Sequence, residues 1–540
     1  MPTLPNKIVD LHTHLFNARC LPLPGIFANA LNKDADNSWV ARHLSTIIFK
    51  ITESEYSPEN LQENFLVDTD YVDRLSDTIE AHIVGEIEAR NVQFRELADQ
   101  EKHPLVVAHD ITQDLKNLQK ALIDEYENNQ DCEIREAVTS LKEVPENLQF
   151  TKQSFSGWIE MIIGVAIRIL NKEQDVADDI ENYGAFIYSM LSAEKHMAET
   201  LIERYGVIAP DYPPITLVHH MMDMQMAYVV KPDTTQEMVS PYYPFYCEYV
   251  QQEDENNGDQ ISRMKQVHAQ YPQTIGFLAF DPRRENCMDV FKFVQNGEFK
   301  GFKFYTSMGY LPANDPVAEI RDRVHTFFEK CAALDIPVFT HCTAQGFQTR
   351  AKLGLNAKPK NWDAVLEAFP KLRLCFGHAG GGKQTHVTSK DTGGKVDLIS
   401  LGWSATKDEW NGPDDYVIKG VTYYNFAKDV VRLCRTYENV YCEFAYITDL
   451  IEGHGDECAK ARACLVDNLV YVIHESQAVE APYKFENKMA FGSDWNMPSM
   501  VTHPKQYLQV FLEIFDAGGP LANYREQFFH ENALNYMKAQ

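Results

Sequence analysis

The sequence predicts an α/β protein built on a (β/α)8 barrel of the TIM type, with a large and mostly helical insertion after the first strand. Two observations lead to this prediction. Eight short segments are rich in β-branched and aromatic residues, and helix-like sequence generally separates them from the second onward. Polar side chains capable of catalysis follow or close several of these segments, where barrel enzymes carry their active sites.

The predicted strands are short apolar runs, each followed by a polar or glycine-rich turn. In chain order they span residues 8–12, 215–219, 275–280, 301–305, 338–341, 374–378, 440–444 and 489–493. A single short run of this kind does not distinguish a strand from a buried helix. Their number, and the helical pattern of intervening segments such as PVAEIRDRVHTFFEKCAALDI, favour a parallel barrel.

The long segment between the first and second strands is predicted to be helical. Apolar residues recur there every three or four positions, at Val72, Leu75, Ile79, Ile83 and Ile87, and again at Ile111, Leu115, Leu118 and Leu122. We therefore expect a barrel domain formed by residues 1–19 and 211–540, and a helical insertion at 20–210. Because the insertion begins at the carboxyl end of the first strand, where the barrel mouth lies, we expect it to cap that mouth.

Two further expectations concern the rest of the chain. The first strand begins near residue 8, so no N-terminal β-sandwich is expected beside the barrel. A second insertion, rich in Gly, Lys, Asp and Trp, is predicted after the sixth strand, from residue 380 to about 437.

Composition restricts the classes of function. Acidic residues outnumber basic ones by 78 to 50, a formal charge of −28 that repels phosphate backbones and anionic lipid. Residues 51–150 contribute 24 acidic and 8 basic side chains, which indicates a solvated helical surface. The most apolar segment, 158–170, contains Glu160 and Arg168 and is shorter than the roughly 20 residues of a membrane span. We expect a cytoplasmic protein that binds neither nucleic acid nor membrane and that forms a homodimer if segment 158–170 is buried against a second subunit.

Four of the predicted strands end in potential metal ligands. His12 and His14 lie at the end of the first strand, on the same face because alternate residues of a strand point the same way. His341 closes the fifth strand, His378 the sixth, and Asp494 follows the eighth. Imidazole and carboxylate groups gathered at one barrel mouth are typical of a divalent metal site.

These residues lie in motifs that resemble the amidohydrolase superfamily, and within it the amidohydrolase-related group of metal-dependent hydrolases and decarboxylases. The motifs are DLHTH, GFKFY, PVFTHC, CFGHAGG and FGSDW, in this order, and the final segment HENALNYM is similar to the Asn-Ala helix that often ends these barrels. The resemblance does not reach the insertion at 20–210, and it is specific for the superfamily but not for one reaction.

The resemblance implies four ligands for one divalent metal, most often zinc: His12, His14, His341 and Asp494. Three nitrogens and one oxygen leave room for a water, whose pKa zinc lowers to about 7. Asp494 is then expected to carry a proton from that water to the leaving group. His378 is expected to donate a hydrogen bond to the substrate carbonyl.

Lys303, in GFKFY, has three possible roles. In binuclear members of the superfamily, a lysine at the end of the fourth strand is carboxylated and bridges two metals, in which case His378 becomes a ligand of the second. In the amidohydrolase-related group, a similar lysine is present without being a ligand. A contact to the substrate and a structural ion pair therefore remain open beside the bridging role.

The function expected from these features is metal-dependent hydrolysis of a C–N or C–O bond, of the amide or lactone type, in a small molecule. The alternative is non-oxidative decarboxylation of an aromatic or unsaturated carboxylic acid on the same metal site. A third hypothesis is a non-catalytic barrel whose acidic insertion binds a partner. The ligand set argues against it, because an idle scaffold has no physical need for these residues.

The cysteines allow a test of the predicted compartment. The eleven cysteines form no CxxC pair and no regular spacing, so we predict that none of them forms a disulfide. Thiol titration of the denatured, unreduced protein should therefore find all eleven free. Two or more missing thiols would contradict a cytoplasmic origin.

Overall fold

The architecture comes from a computed structural model. It describes residues 4–30, 39–54, 57, 104–128, 135, 138–139, 141, 190–208, 214–228, 239–247, 258–344, 346–350, 352–387, 396–451, 455–478, 480–495 and 507–538. The predicted helix at 72–87 and the apolar segment 158–170 lie outside these residues. The chain divides into two compact units. The first comprises Met1–Leu15, Ala198–Ala227 and Ile261–Gln540, and the second comprises Phe16–Met197 and Tyr228–Gln260.

The first unit contains the predicted barrel. Its eight strands are all parallel and pair in the order in which they follow one another along the chain. They are β1 (Ile8–Thr13), β2 (Ile215–His220), β3 (Thr274–Phe280), β4 (Gly301–Phe304), β5 (Val338–His341), β6 (Leu374–Gly377), β11 (Val440–Phe444) and β12 (Met489–Phe491). The eight-stranded barrel and the place of each strand are confirmed.

The barrel closes between its first and last strands just beyond the end of β12. Thr13 and Trp495 form a parallel bridge. The backbone N–H of Asp494 donates to the carbonyl of His12 at 2.7 Å. The segments that carry three of the four predicted metal ligands, His12, His14 and Asp494, therefore join the two edges of the sheet.

The helices between the strands are amphipathic. In the longest one between β4 and β5, Val324, Phe327, Phe328 and Cys331 are buried at a spacing of three or four residues, which confirms the predicted pattern. The helices are α1 (Leu23–Ala30), α2 (Trp39–Ile51), α3 (Pro104–Tyr126), α4 (Glu194–Ile208), α5 (Gln260–Gln270), α6 (Phe291–Gln295), α7 (Ala318–Leu334), α8 (Asp363–Ala368), α9 (Lys407–Asn411), α10 (Phe426–Thr436), α11 (Gly455–Ala478), α12 (Tyr507–Ile514) and α13 (Asn532–Met537).

The barrel interior is filled by apolar side chains from seven strands and from α13. They are Val9, Leu11, Val218, Phe277, Phe339, Cys375, Tyr441 and Ala490 from the strands, with Ala533, Tyr536 and Met537 from α13. Backbone carbonyls of α13 and its end accept hydrogen bonds from Arg373 and Lys300, which immediately precede β6 and β4. Helix α13 therefore covers the amino-terminal end of the barrel, opposite the predicted site.

A bulge in β1 changes which side chains face the interior. The pairing of β1 with β2 shifts register between Asp10 and Thr13. Leu11 belongs to the interior cluster, and yet the ring of the adjacent His12 lies 4.8 Å from Phe339 of the same cluster. In a regular strand these neighbours would point to opposite faces, so the bulge redirects the histidine into the barrel.

The predicted second insertion contains a small sheet and two helices. Strands β7 (Gln384–Val387), β8 (Val396–Ser400), β9 (Asp415–Ile418) and β10 (Val421–Tyr424) form a mixed sheet in the order β7-β8-β10-β9. Helix α10 then leads back to β11.

The second unit is helical in its described part. Helices α2 and α3 pack together, with Lys50 Nζ 2.6 Å from Asp114 Oδ2. Leu115, Leu118 and Leu122 are buried on α3, which confirms the helical periodicity predicted for them. The unit also includes Tyr228–Gln260, which follows β2, and so draws on more of the chain than the predicted insertion. That the insertion caps the barrel mouth stays a prediction.

One property bears on membranes. Within the described ranges, no helix combines the length and the apolar character that crossing a bilayer requires.

The contact of α13 with the rest of the barrel gives a stability prediction. The buried amide of Asn532 donates to the carbonyls of Glu486 and Met489, at 2.9 and 2.8 Å. Asn532→Ala should lower the free energy of unfolding of the barrel by about 2–4 kcal/mol, because two buried carbonyls lose their donor. Urea unfolding followed by fluorescence measures this change. Asn439→Ala, which removes one exposed bond to Lys371, should cost less than about 1 kcal/mol; equal losses would contradict the prediction.

Candidate metal centre

Three potential ligand atoms converge at the carboxyl ends of β1 and β12. His12 Nε2 and His14 Nε2 lie 3.1 Å apart, and Asp494 Oδ1 lies 3.3 Å from the former and 3.1 Å from the latter. All three side chains are buried. The structure thus brings together three of the four predicted ligands.

In both imidazoles the proton is on Nδ1, and Nε2 is the nitrogen that faces the other acceptor atoms. His12 Nδ1 lies 2.7 Å from Glu443 Oε1, which also accepts the backbone N–H of His378 and is therefore an acceptor. His14 Nδ1 lies 2.7 Å from the carbonyl oxygen of His220. Both Nδ1 atoms must donate, so both Nε2 atoms present a lone pair to each other and to the Asp494 carboxylate.

This arrangement fits a divalent metal ion. Three acceptor atoms in mutual contact repel one another unless a cation or a proton lies among them. Ligand atoms bound 2.0–2.1 Å from a tetrahedral zinc are about 3.3 Å apart, close to the separations observed here. Two neutral imidazoles and a carboxylate are also a donor set that zinc, manganese and iron accept.

Lys303 lies directly beside the three acceptors. Its Nζ is 3.0 Å from His12 Nε2 and 4.4 Å from the centre of the Phe339 ring. Burial lowers the pKa of Lys303 to about 8, and the nearby carboxylates of Asp494 and Glu443 oppose that shift. A metal ion and the Lys303 ammonium therefore compete for the same His12 lone pair. The three roles that the sequence left open for Lys303 stay predictions.

Glu443 contacts the site from β11, and no motif in the sequence points to it. Its Oε1 accepts from His12 Nδ1 and from the backbone N–H of His378, at 2.7 and 2.8 Å, while its Oε2 is buried without a hydrogen-bond partner. Burial raises the pKa of Glu443 well above its ordinary value. The available signal was one charged residue within the otherwise uncharged strand VYCEF.

A glycine makes room for this carboxylate. A Cβ atom on Gly492 would lie 2.3 Å from Glu443 Oε2 and 2.9 Å from His12 Cβ. The glycine of the FGSDW motif is therefore required by the packing of the carboxylate against the last strand.

His341 and His378 form a second pair beside the three acceptors. His378 Nδ1 lies 3.0 Å from the carbonyl of Ala445, and its Nε2 lies 3.0 Å from His341 Nδ1. The carbonyl fixes the proton of His378 on Nδ1, so its Nε2 accepts from His341. Among the described residues, two groups have ligand atoms close enough to share an ion: His12, His14 and Asp494, and His12, His378 and Glu443.

The hydrogen bond between His341 and His378 does not match the roles predicted for these two residues. His341 is in contact with His378 and belongs to neither group, so its place as the fourth ligand stays a prediction. For His378 to donate to a substrate carbonyl, its proton would have to move to Nε2 and the contact with His341 would have to break. Burial lowers the pKa of His378 to about 3, so the ring is neutral.

Asp10 fixes the two segments that bear the ligands. Its carboxylate accepts from the Ser493 hydroxyl at 2.6 Å, the Ser493 backbone N–H at 2.9 Å and the Tyr205 hydroxyl. Burial raises the pKa of Asp10 to about 6 against the effect of these hydrogen bonds. The signal available in the sequence was an acidic residue two positions before His12.

The backbone is strained where the strands end. His378, Tyr446 and Asp494 have φ angles of 62°, 45° and 59°, in the left-handed region that residues other than glycine rarely occupy. These positions follow β6, β11 and β12. Such conformations persist only where surrounding contacts impose them, and they occur often at functional sites.

The role of Glu443 is testable by metal affinity. Glu443→Ala should weaken zinc binding 10–100-fold, because His12 loses the acceptor that orients it. Glu443→Gln keeps an acceptor oxygen and should weaken binding less. Competition with a chromogenic chelator measures both. The control Glu319→Ala, on the exposed face of α7, should leave affinity unchanged. Wild-type affinity in Glu443→Ala would contradict the role.

Comparison with known proteins finds a family model that matches part of the chain. Residues 235–405 match the model of a family described as amidohydrolase (Amidohydro_2). This span contains Lys303, His341 and His378, whereas the other ligand candidates lie outside it. No curated protein has a matching sequence.

Solved structures with some similarity include an amidohydrolase from Burkholderia multivorans with bound zinc, at 10% identity and a TM-score of 0.32, over 52% of this chain and 78% of that one. Another is a 2,6-dihydroxybenzoate decarboxylase complexed with 2,6-dihydroxybenzoate, at 12% identity and a TM-score of 0.28, over 52% and 75%.

The family match covers the middle of a barrel whose strand ends carry the histidines and the aspartate of the motifs described above. The similarity to the amidohydrolase family is therefore found over residues 235–405.

Proposed function

We propose that the protein is a zinc-dependent hydrolase that cleaves a C–N or C–O bond, of the amide or lactone type, in a small molecule. The observation that carries this proposal is the convergence of His12 Nε2, His14 Nε2 and Asp494 Oδ1 in a buried site. A divalent ion held by these atoms would supply an activated water and would polarise a carbonyl oxygen. The burial of the three side chains supports a small substrate over a polymer.

Asp494 acts as the proton carrier in this proposal. One carboxylate oxygen faces the two imidazoles, and the second is available to take a proton from the attacking water. The same oxygen then returns the proton to the leaving nitrogen or oxygen. A positioned carboxylate of this kind typically contributes 10²–10⁴-fold to the rate.

Lys303 stabilises the charge that develops on the substrate. Its ammonium lies in a buried site, where a fixed positive charge is more effective than in water. We propose that it faces the carbonyl oxygen of the substrate as that oxygen becomes negative. His378 and His341, in hydrogen-bond contact with each other, orient the substrate from the side of β5 and β6.

The arginines after β3 are not available to bind a substrate carboxylate. A carboxylic acid substrate needs a cation to bind its carboxylate. Arg283 makes a bidentate ion pair with Asp281. Arg284 Nη1 lies 3.0 Å from Asp223 Oδ2. Because each guanidinium is already neutralised by an aspartate, neither offers an unpaired charge to a substrate carboxylate.

The proposal is tested by assay of the metal-loaded protein against two panels. Amides, esters and lactones are followed by proton release, and aromatic and unsaturated acids by release of CO2. We expect turnover in the first panel only. Release of CO2 would establish decarboxylation instead, and no turnover in either panel would favour the non-catalytic scaffold.

The proton carrier gives a specific prediction. Asp494→Asn should lower kcat at least 100-fold, because the amide cannot accept the proton. Metal content is measured on the same sample to separate loss of the base from loss of the ligand. Lys352→Ala, which removes an exposed ion pair with Asp397, is the matched control and should be fully active. An Asp494→Asn variant with wild-type kcat would contradict the proposal.

A further inference from the structure

Tyr305, which follows β4, lies against His341 at the end of β5. The two rings are nearly parallel, with an angle of 21° between their planes and their centres 4.6 Å apart. The Tyr305 hydroxyl accepts a hydrogen bond from the backbone N–H of Phe347, in the turn that follows β5. Both rings are buried. This tyrosine therefore contacts the face of the histidine and also holds the turn beyond it.

Gly346, the neighbour of Phe347 in that turn, lies against the edge of the same imidazole. A Cβ atom on Gly346 would lie 2.5 Å from His341 Cε1, 2.7 Å from His341 Nε2 and 3.1 Å from Tyr305 Oη. The φ angle of Gly346 is 94°, so the backbone also favours glycine here. Gly346 is exposed, whereas His341 is buried. The turn therefore lies between His341 Nε2 and the solvent.

Nε2 is the atom through which His341 would bind a metal. Because His341 Nδ1 donates to His378 Nε2, the lone pair of His341 is on Nε2, as it is in His12 and His14. Among the described residues, however, His341 belongs to neither group whose ligand atoms all lie within 4.8 Å of one another. To join the other three ligands, its ring must move toward them and lose its contact with the turn.

We propose that Tyr305 and Gly346 form a clasp that holds His341 outside the metal site, and that His341 becomes the fourth ligand only when the clasp opens. In the closed clasp the ring stays beside His378, where the pair orients the substrate. This inference rests on the proposed function, since it requires a metal at the other three ligands. The clasp contacts oppose metal binding, because they stabilise the position of His341 that does not bind the metal. Tyr305 and Gly346 are thus positioning residues.

The turn is anchored at its far end, which limits what opening the clasp would move. The Thr349 hydroxyl donates to the carbonyl of Met308 at 3.3 Å, and Gln348 Oε1 accepts the backbone N–H of Gly354 at 3.0 Å. These contacts do not involve the clasp residues. Loss of the bond between Tyr305 and the turn should therefore release residues 346 and 347 while the rest of the loop stays in place.

The first test removes the hydroxyl of the clasp and keeps the ring. Tyr305→Phe should bind zinc about 3–10-fold more tightly than wild type, the equivalent of one hydrogen bond that no longer opposes binding. Competition with a chromogenic chelator measures the affinity. Tyr271→Phe is the matched control, because it removes a hydroxyl bond to Glu199 just before β3, away from the strand ends that carry the site. Its affinity should equal that of wild type.

The second test acts on the turn. In Gly346→Ala the new Cβ cannot remain 2.5 Å from the imidazole, so the turn and the ring must separate and zinc affinity should rise at least threefold. Gly518→Ala is the matched control. Gly518 has a φ angle of 98°, and a Cβ there would meet nothing within 4 Å, so the variant has similar backbone strain without the contact. Circular dichroism establishes that each variant is folded.

A double variant identifies His341 as the residue through which the clasp acts. In a His341→Ala background, Tyr305→Phe should no longer raise zinc affinity, because the fourth ligand is absent. Unchanged or weaker binding by Tyr305→Phe and Gly346→Ala, or a gain that persists without His341, would overturn the clasp and leave the proposed function standing. A wild-type protein that binds no zinc would refute the proposed function and the clasp with it.

Discussion

The paired hydrogen bonds accepted by Glu443 are the interaction on which the rest of the site depends. One oxygen receives the ring N–H of His12 and the backbone N–H of His378, and so ties the ends of β1 and β6 to β11. Without it, neither the tautomer of His12 nor the position of its lone pair would be fixed. The carboxylate is fully buried, an environment that is unfavourable for a charge unless nearby groups compensate for it. Lys303 supplies one such compensating charge, and a divalent ion held by His12, His14 and Asp494 would supply another.

The contacts that close the barrel also assemble the site. Asp10 holds Ser493, and the carbonyl of His12 holds the N–H of Asp494, so the contacts that join β1 to β12 also set the distance between the ligands. Interior packing against α13 supports the same two strands from the other end. A change that loosens this seam would therefore reduce stability and metal affinity together.

The sequence predicted the eight strands and the group His12, His14 and Asp494, because strand ends in a barrel meet whatever the length of the connections. It could not predict the bulge in β1, since a bulge depends on the register with β2, some two hundred residues away. It also missed Glu443, whose partners are distant in sequence and are brought together only by the closed barrel. The contact between His341 and His378 likewise depends on side-chain orientation at two strand ends. The sheet of the second insertion was not foreseen, because its strands are short and half-exposed.

The central claim is that His12, His14 and Asp494 hold a metal ion. Anomalous diffraction at the zinc absorption edge, from crystals of zinc-loaded protein, tests it most directly. The account predicts a single strong peak about 2.0–2.1 Å from both Nε2 atoms and beside the Asp494 carboxylate. A map with no peak among these three side chains, or with its main peak elsewhere in the molecule, would contradict it.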